Sequence, residues 1–221
     1  MKLEDVVPWG RSKDEYASMF GLTPRDLGLN ILDCAGGPSS FNAEMKRQGH
    51  EVVSCDPLYR FSAEEISSRI EEVFGLVMGG VRAPEHLREV RRSTMDLFLA
   101  DFPEGLHEGR YAEASLPTLP FGDAAFELAL CSHLLFTYSA QLSERFHLGS
   151  ILEMCRVAGE ARIFPLLMSS AHTVGGEGEE SPHLGPVLAG LEERGYEARV
   201  EAVPYEFQKG GDKMLRVRAC E

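Results

Sequence analysis

The stretch ILDCAGGPSSF, residues 31–41, decides how the chain is read. An apolar run stops at Asp33 and Cys34, and Ala35, Gly36, Gly37, Pro38, Ser39 and Ser40 follow with almost no side-chain bulk. NAEMKRQG then has helical character and stops at Gly49. A buried strand that leaves through so bare a bend leaves room for something large against its backbone. The next apolar run, HEVVSCDP, ends in Asp56 before Pro57, 19 positions after Gly37 (56 minus 37). An acid about 20 residues beyond a glycine turn, at the tip of the next strand, can accept both hydroxyls of a ribose. The plainer alternative is a tight strand-to-helix turn with Asp56 as a helix cap, and the sequence leaves it open.

The bulk composition sets the frame. With 221 residues, 43% hydrophobic and 26% charged, the chain is long enough for one substantial core. We expect a single domain over 1–221, with a helical elaboration at about 58–110. Its longest apolar runs are too short to span a bilayer, and MKLEDVVPWGRSKDEY lacks the pattern of a secretion signal. The expectation is a cytoplasmic protein. A net charge of -13 disfavours nucleic acid and anionic membrane as partners. Arg82, Arg88, Arg91 and Arg92 form the basic cluster, interrupted by Glu85 and Glu89, and read as a solvated helix face. Five cysteines without a CxxC pair argue against both a disulfide framework and a zinc site, so no metal is expected.

The elements alternate. Strands are expected at 29–34, 50–57, 109–115, 126–132 and 160–168. Ser62 and Glu65 have capping-box spacing ahead of a stripe of Ile66, Ile70, Val73, Phe74 and Val77. Pro84 then opens a helix with Leu87, Val90, Thr94, Leu97 and Phe98 on one side. Further helices carry Leu148, Ile151, Leu152 and Cys155, and Leu184, Val187, Leu188 and Leu191. YEARVEAVPYEF and DKMLRVRA read as two strands joined at QKGG. The fold class is α/β: a Rossmann-like, doubly wound, seven-stranded sheet, mostly parallel, with a C-terminal antiparallel hairpin.

Dinucleotide sites favour G-x-G-x-x-G, so that a pyrophosphate can rest on the helix N-terminus. Here Asp33 precedes the small residues, and it would repel a pyrophosphate while suiting a positively charged ligand. At this point the sequence resembles the class I S-adenosylmethionine-dependent methyltransferases, of the small-molecule bacterial type. The likeness lies in ILDCAGGPSSF, VVSCDPLY, LPTLPFGDAAFELALCSHLLF, LEMCRVAGEARIFPLL and the final hairpin, in that order. It implies S-adenosylmethionine as cofactor and a small-molecule methyl acceptor. By position it implies that Asp33 and the backbone of Ala35, Gly36, Gly37, Pro38 and Ser39 face the methionine end. Asp56 holds the ribose, Pro57 and Leu58 pack on the adenine, and Ser115 and Leu116 flank its edge. Ser132 and His133 lie near the transferred methyl. Arg11 and Tyr16 belong to a segment folded over the cofactor, where Arg11 pairs with its carboxylate.

The chain departs from the family pattern at Ala35, Ser39, Ser115, Glu127 and the RVAGEAR loop. His133 is the candidate general base, and it can equally be a pocket-wall histidine; His147 and His172 are weaker candidates. Two rival functions stand beside the transferase. One is a non-catalytic protein of the same fold that binds S-adenosylmethionine or S-adenosylhomocysteine. The other is a nicotinamide oxidoreductase, which the final hairpin and the missing G-x-G-x-x-G disfavour. The acceptor pocket is expected between residues 9–16, the segment after His133 and the GGEGEE loop at 175–180. Cys34, Cys55 and Cys131 are expected side by side as small filler beneath the cofactor.

Overall fold

The computed structural model describes residues 9–80, 85–168, 178–206 and 208–219, excluding the side chains of 74–87. The expectations on Phe74, Val77, Arg82, Pro84, Leu87, His172 and most of the GGEGEE loop lie outside it. The chain opens with two short helices, α1 (Lys13–Met19) and α2 (Pro24–Leu27), and enters strand β1 (Ile31–Cys34). Helix α3 (Phe41–Arg47) leads to β2 (Val52–Cys55) and a 3-10 turn at Pro57–Arg60. Two long helices follow, α4 (Ala63–Gly80) and α5 (Glu85–His107), before β3 (Tyr111–Ala112) and β4 (Phe126–Ser132). The remainder is α6 (Glu144–Val157), β5 (Ala158–Phe164), β6 (Leu167–Met168), β7 (Glu179–Glu180), α7 (Leu184–Glu192), β8 (Tyr196–Ala202) and β9 (Lys213–Ala219).

Seven strands form one sheet in the order β3-β2-β1-β4-β5-β9-β8. The first five are parallel; β9 is inserted antiparallel between β5 and β8. This is the doubly wound sheet with an antiparallel C-terminal pair that the sequence pattern called for. Side-chain alternation explains its layers. Leu32, Cys34, Ala129, Cys131, Ala161 and Ile163 pack toward Ile151, Met154, Val187 and Leu191 of α6 and α7. Ile31, Val52, Leu128, Leu130 and Phe164 pack the other way, onto Tyr16, Met19 and Phe20, and onto Phe41 and Met45 of α3. With both faces covered, β1 is buried at every position, which is why it reads as an unbroken apolar run. Strand order reverses at β1, which puts the glycine turn at the crevice between β2 and β4.

Several elements differ from expectation. The strand expected at 109–115 pairs only at Tyr111–Ala112. β5 stops at Phe164 because Pro165 cannot donate to a ladder, and Leu167–Met168 pairs separately with Glu179–Glu180. RVAGEAR makes no loop: α6 ends at Val157 and β5 begins at Ala158. The final pair runs in register to Ala202 and Lys213, the Val203 N–H continues it to the Asp212 carbonyl at 2.8 Å, and QKGG holds a turn in which the Gly211 N–H meets the Gln208 carbonyl at 2.7 Å.

The largest correction concerns α5. Val90 is 46% exposed, whereas Arg91 is 2% exposed. The inward face is Arg91, Thr94, Met95, Phe98 and Phe102: Thr94 and Phe98 of the expected stripe are buried, Arg91 is inside where Val90 was expected, and Met95, Phe98 and Phe102 join Leu58, Tyr59, Ile66, Ile70 and Tyr111 in a third apolar cluster. Arg91 therefore does not belong to a solvated basic face. It is buried against Glu15 of α1, a carboxylate 76 residues away.

Candidate cofactor site

The turn after β1 is built from two left-handed residues, Ala35 (φ +56°) and Gly37 (φ +53°), around Gly36. Alanine tolerates that conformation at a cost; at Gly37 the missing Cβ removes it. A Cβ on Gly36 would stand 2.4 Å from Asp33 Oδ2 and 2.8 Å from the Tyr59 hydroxyl, so that position has no room for a side chain. A Cβ on Gly37 would meet nothing within 4 Å, so its backbone faces open space. The two glycines thus serve different ends, one internal packing and the other an open edge.

Asp56, one residue beyond β2, closes the turn from the side. Its Oδ2 accepts the Gly37 N–H at 3.1 Å and its Oδ1 accepts the Leu58 N–H at 2.7 Å. It therefore does cap the 3-10 turn that starts at Pro57, and it also reaches across to the glycine turn. Burial pushes its carboxyl up to about 6, against the pull of the Leu58 and Gly37 N–H groups. The Tyr59 hydroxyl donates to the Gly37 carbonyl at 2.8 Å.

Beneath the turn, Asp33 is 1% exposed. Its Oδ1 accepts from the Tyr16 hydroxyl at 2.9 Å and its Oδ2 from Ser54 Oγ at 3.0 Å. Burial raises it to about 7, opposed by those two hydrogen bonds and reinforced by the charge of Asp56. Tyr16 is fixed by stacking on Phe41, with ring centroids 4.3 Å apart.

The segment ahead of α1 lies on the turn as a strap. Arg11 N–H donates to Ser39 Oγ at 3.2 Å, and Ser40 N–H donates to the Arg11 carbonyl at 3.1 Å. Gly10 sits so close to Pro38 that a Cβ there would be 2.3 Å from the Pro38 oxygen. The Arg11 side chain is buried at 4% exposure. On the other side, Ser132 ends β4, with its Oγ 2.8 Å from His133 Nδ1. His133 adopts φ +54°, a conformation rare for a residue with a side chain, and donates its N–H to the Phe164 carbonyl at 2.7 Å. Burial, then the charges of Arg11 and Arg91, hold its imidazole well below the usual range, so it is neutral.

The expected site residues separate into two groups. Tyr16 is bonded to Asp33, Gly37 to Asp56 and Arg11 to Ser39 around the turn of residues 35–39, and Ser132 and His133 stand at the tip of the adjacent strand. Ser115 and Leu116 are placed differently: Ser115 is exposed in a bridge to Thr118, and Leu116 is in the core beneath the sheet. Pro57 and Leu58 begin the 3-10 turn, with Leu58 buried beside Tyr59. His147 is buried among Phe136, Phe146 and His183, with Nδ1 2.8 Å from the Ser143 carbonyl. Sequence reasoning misses Ser54, Tyr59 and Glu15, and it places Arg91 only on a solvated basic face. Glu15 had a signal, since Ser12 lies three residues before it and the two form a capping box. Nothing local marked Arg91. Cys34 is in register with both Cys55 and Cys131, so the three thiols do stand in a row. Among the described residues, no helix is long and apolar enough to cross a membrane and no group of His, Cys, Asp or Glu is arranged to hold a metal.

A seven-stranded sheet in this order, with a glycine turn on its first strand and an acid on its second, is the Rossmann-like methyltransferase fold that the sequence resembles. Among solved structures, magnesium protoporphyrin IX methyltransferase from Synechocystis PCC 6803 with bound SAM superposes with TM-score 0.49 at 11% identity, over 94% of this chain and 77% of that one. A SAM-dependent methyltransferase from Methanosarcina mazei gives 0.48 at 15%, over 90% and 98%. The glycopeptide N-methyltransferase MtfA with S-adenosylhomocysteine gives 0.47 at 12%, over 94% and 88%. No family model matches the chain. An uncharacterized protein of Methanocaldococcus jannaschii is 32% identical over 231 residues, covering 99% of this chain and 98% of its own. The chain belongs to the same family as that protein.

Proposed function

We propose that this chain binds S-adenosylmethionine at the carboxyl edge of β1 and β2 and transfers its methyl group to a small molecule. One observation carries the proposal: the hydrogen bond from Gly37 to Asp56, which joins an open glycine backbone to a fixed carboxylate at the point where strand order reverses. The residues fit such a ligand. A carboxylate offers about four lone-pair directions, and Asp56 spends two on backbone N–H groups, leaving two for ribose hydroxyls. The bound sulfonium would supply an electrophilic methyl carbon, so the protein's task is mainly alignment.

The chain's own residues then divide the work. Ionised Asp33 sets a negative charge beneath the turn, toward the methionine end. Arg11 offers a guanidinium for the cofactor carboxylate. Gly37 keeps its edge clear, and Leu58 lies next to Asp56 on the adenine side. Burial and the charges of Arg11 and Arg91 oppose protonation of His133, so at the tip of β4 it fits a neutral pocket-wall histidine better than a general base. Acceptor walls would come from residues 9–16, the segment after His133 and the loop that ends at Glu179–Glu180. The many small-molecule chemistries hosted by one such fold leave the acceptor itself to experiment.

Calorimetric titration with S-adenosylmethionine, S-adenosylhomocysteine and NAD tests the cofactor. One equivalent of either of the first two should bind, and NAD should not. A screen of candidate acceptors with a radiolabelled methyl donor then tests transfer. Binding with no transfer to any acceptor would favour the non-catalytic reading, and binding of NAD alone would overturn both.

A further inference from the structure

We infer that Arg91, on the inserted helix α5, is a positioning residue that locks the N-terminal strap onto the glycine turn and so sets how long the cofactor stays bound. This rests on the cofactor reading above. Arg91 is 2% exposed, and both terminal nitrogens of its guanidinium engage the Glu15 carboxylate. One of them also donates to the Gly10 carbonyl at 3.1 Å, inside the strap itself. Planar two-point pairing of this kind fixes direction as well as distance, which a lysine would not do. The guanidinium also lies 6.0 Å from the Trp9 ring centroid, at the strap's start.

Glu15 is held from two further sides. The Ser12 N–H donates to it at 3.0 Å in the capping box, and the Tyr205 hydroxyl, from the segment before β9, donates at 2.8 Å. Burial alone would raise the Glu15 carboxyl; the Arg91 hydrogen bonds, with the charges of Arg11 and Arg91, bring it down to about 2. It is therefore a carboxylate at any working pH. From this anchor the strap runs over the turn by bonds to Ser39, Ser40 and, through the Lys13 N–H at 2.9 Å, Glu44. Met95, one turn along α5 from Arg91, would stand 3.0 Å from a Cβ on Gly10, so the helix presses the strap from outside while Pro38 receives it from inside. Helix α5 thus has a task that its place between β2 and β3 does not suggest. It holds shut the segment that lies on the cofactor turn.

Three variants test the lock, with S-adenosylhomocysteine as the probe. Arg91→Met removes the pair, Arg91→Lys keeps one charge contact, and Gly10→Ala leaves the pair but forces the strap off Pro38. Stopped-flow release should quicken about tenfold or more in Arg91→Met and Gly10→Ala and by less in Arg91→Lys. Binding should stay at one per chain, with no slower association. Amide exchange at residues 11–16 should quicken in the ligand-free Arg91→Met and Gly10→Ala proteins while the sheet keeps its protection. A merely destabilised protein would instead lose binding stoichiometry and sheet protection together. Equal release rates and equal exchange in all forms would overturn the lock. If the unaltered protein binds no S-adenosylhomocysteine, the cofactor reading fails, and the exchange measurement still decides whether Arg91 holds the strap. Should Arg91→Met fail to fold, Gly10→Ala carries both measurements.

Discussion

The Gly37 N–H points at Asp56 Oδ2 from 3.1 Å, joining two strand tips that are 19 residues apart in sequence. The bond orients the carboxylate and leaves half of its accepting capacity free. Asp56→Ala should therefore weaken binding of S-adenosylhomocysteine by about 1.5–3 kcal/mol, the range for removing charge-assisted hydrogen bonds to buried hydroxyls. Calorimetry with the fold checked by circular dichroism measures this. Unchanged affinity would remove Asp56 from the ribose role.

The two glycines of the turn should respond differently to alanine. At Gly36 the added methyl meets Asp33 and the Tyr59 hydroxyl, so Gly36→Ala should cost about 1–3 kcal/mol of stability. At Gly37 there is space, and the cost is left-handed strain of about 1 kcal/mol. Affinity should show the opposite emphasis, because only Gly37 presents an open edge to a ligand. Equal melting temperatures for the two variants would contradict this division.

Asp33 gives a pH signature. Its carboxyl is raised to about 7, so it loses its proton as pH passes neutrality. A sulfonium gains from the resulting charge, whereas the neutral sulfur of S-adenosylhomocysteine does not. Preference for S-adenosylmethionine over S-adenosylhomocysteine should rise several-fold as pH is raised through about 7. Titrations across that interval measure the ratio, and in Asp33→Asn it should be flat. Asp56, raised to about 6, affects both ligands alike and cancels in the ratio.

Stability without ligand should peak on the acid side of neutrality. Glu15 is depressed to about 2, so its contribution is present above its ordinary value near 4.5 and is lost as pH falls below that. The linkage is worth on the order of 3 kcal/mol. Asp33 and Asp56 are raised, so theirs is present below the ordinary 3.8 and is lost as pH rises through about 6 to 7. The aspartates begin to lose theirs as soon as pH passes 3.8 and together outweigh Glu15, so melting temperatures should be highest at about pH 4 and fall steadily toward about pH 7, and Glu15→Gln should flatten the acid limb.

Cys34, Cys55 and Cys131 are fully or almost fully buried. Hydrogen bonding to Cys55, then burial, pushes the Cys34 thiol well up, and burial pushes Cys131 up to about 12. Little thiolate is present at neutral pH, so alkylation should be slow, and slower still with S-adenosylhomocysteine bound. Mass spectrometry of alkylated protein measures this. Rapid ligand-independent labelling of all three would show an accessible reactive site instead of filler.

Much of the fold could be read locally because its determinants are local. The burial of β1 on both faces wrote an unbroken apolar run into residues 31–34. The bare turn followed from backbone conformations that Gly37 adopts without strain, and Asp56 was marked by its place at a strand tip. The parallel order of five strands followed from their alternation with helices, and the row of thiols followed from parallel register. What remained hidden depends on partners distant in sequence. Arg91 lies about 100° around the helix from Val90, and its charge disguised it as a surface position; Glu15, 76 residues away, decided its burial by giving the guanidinium its counter-charge. The short segment at Ser115 turns back in a bridge to Thr118, a pairing that the strand pattern at 109–115 did not show. Local propensity thus determined the elements and the cofactor turn, while tertiary contact alone chose which charged side chain would be buried and what it would hold in place.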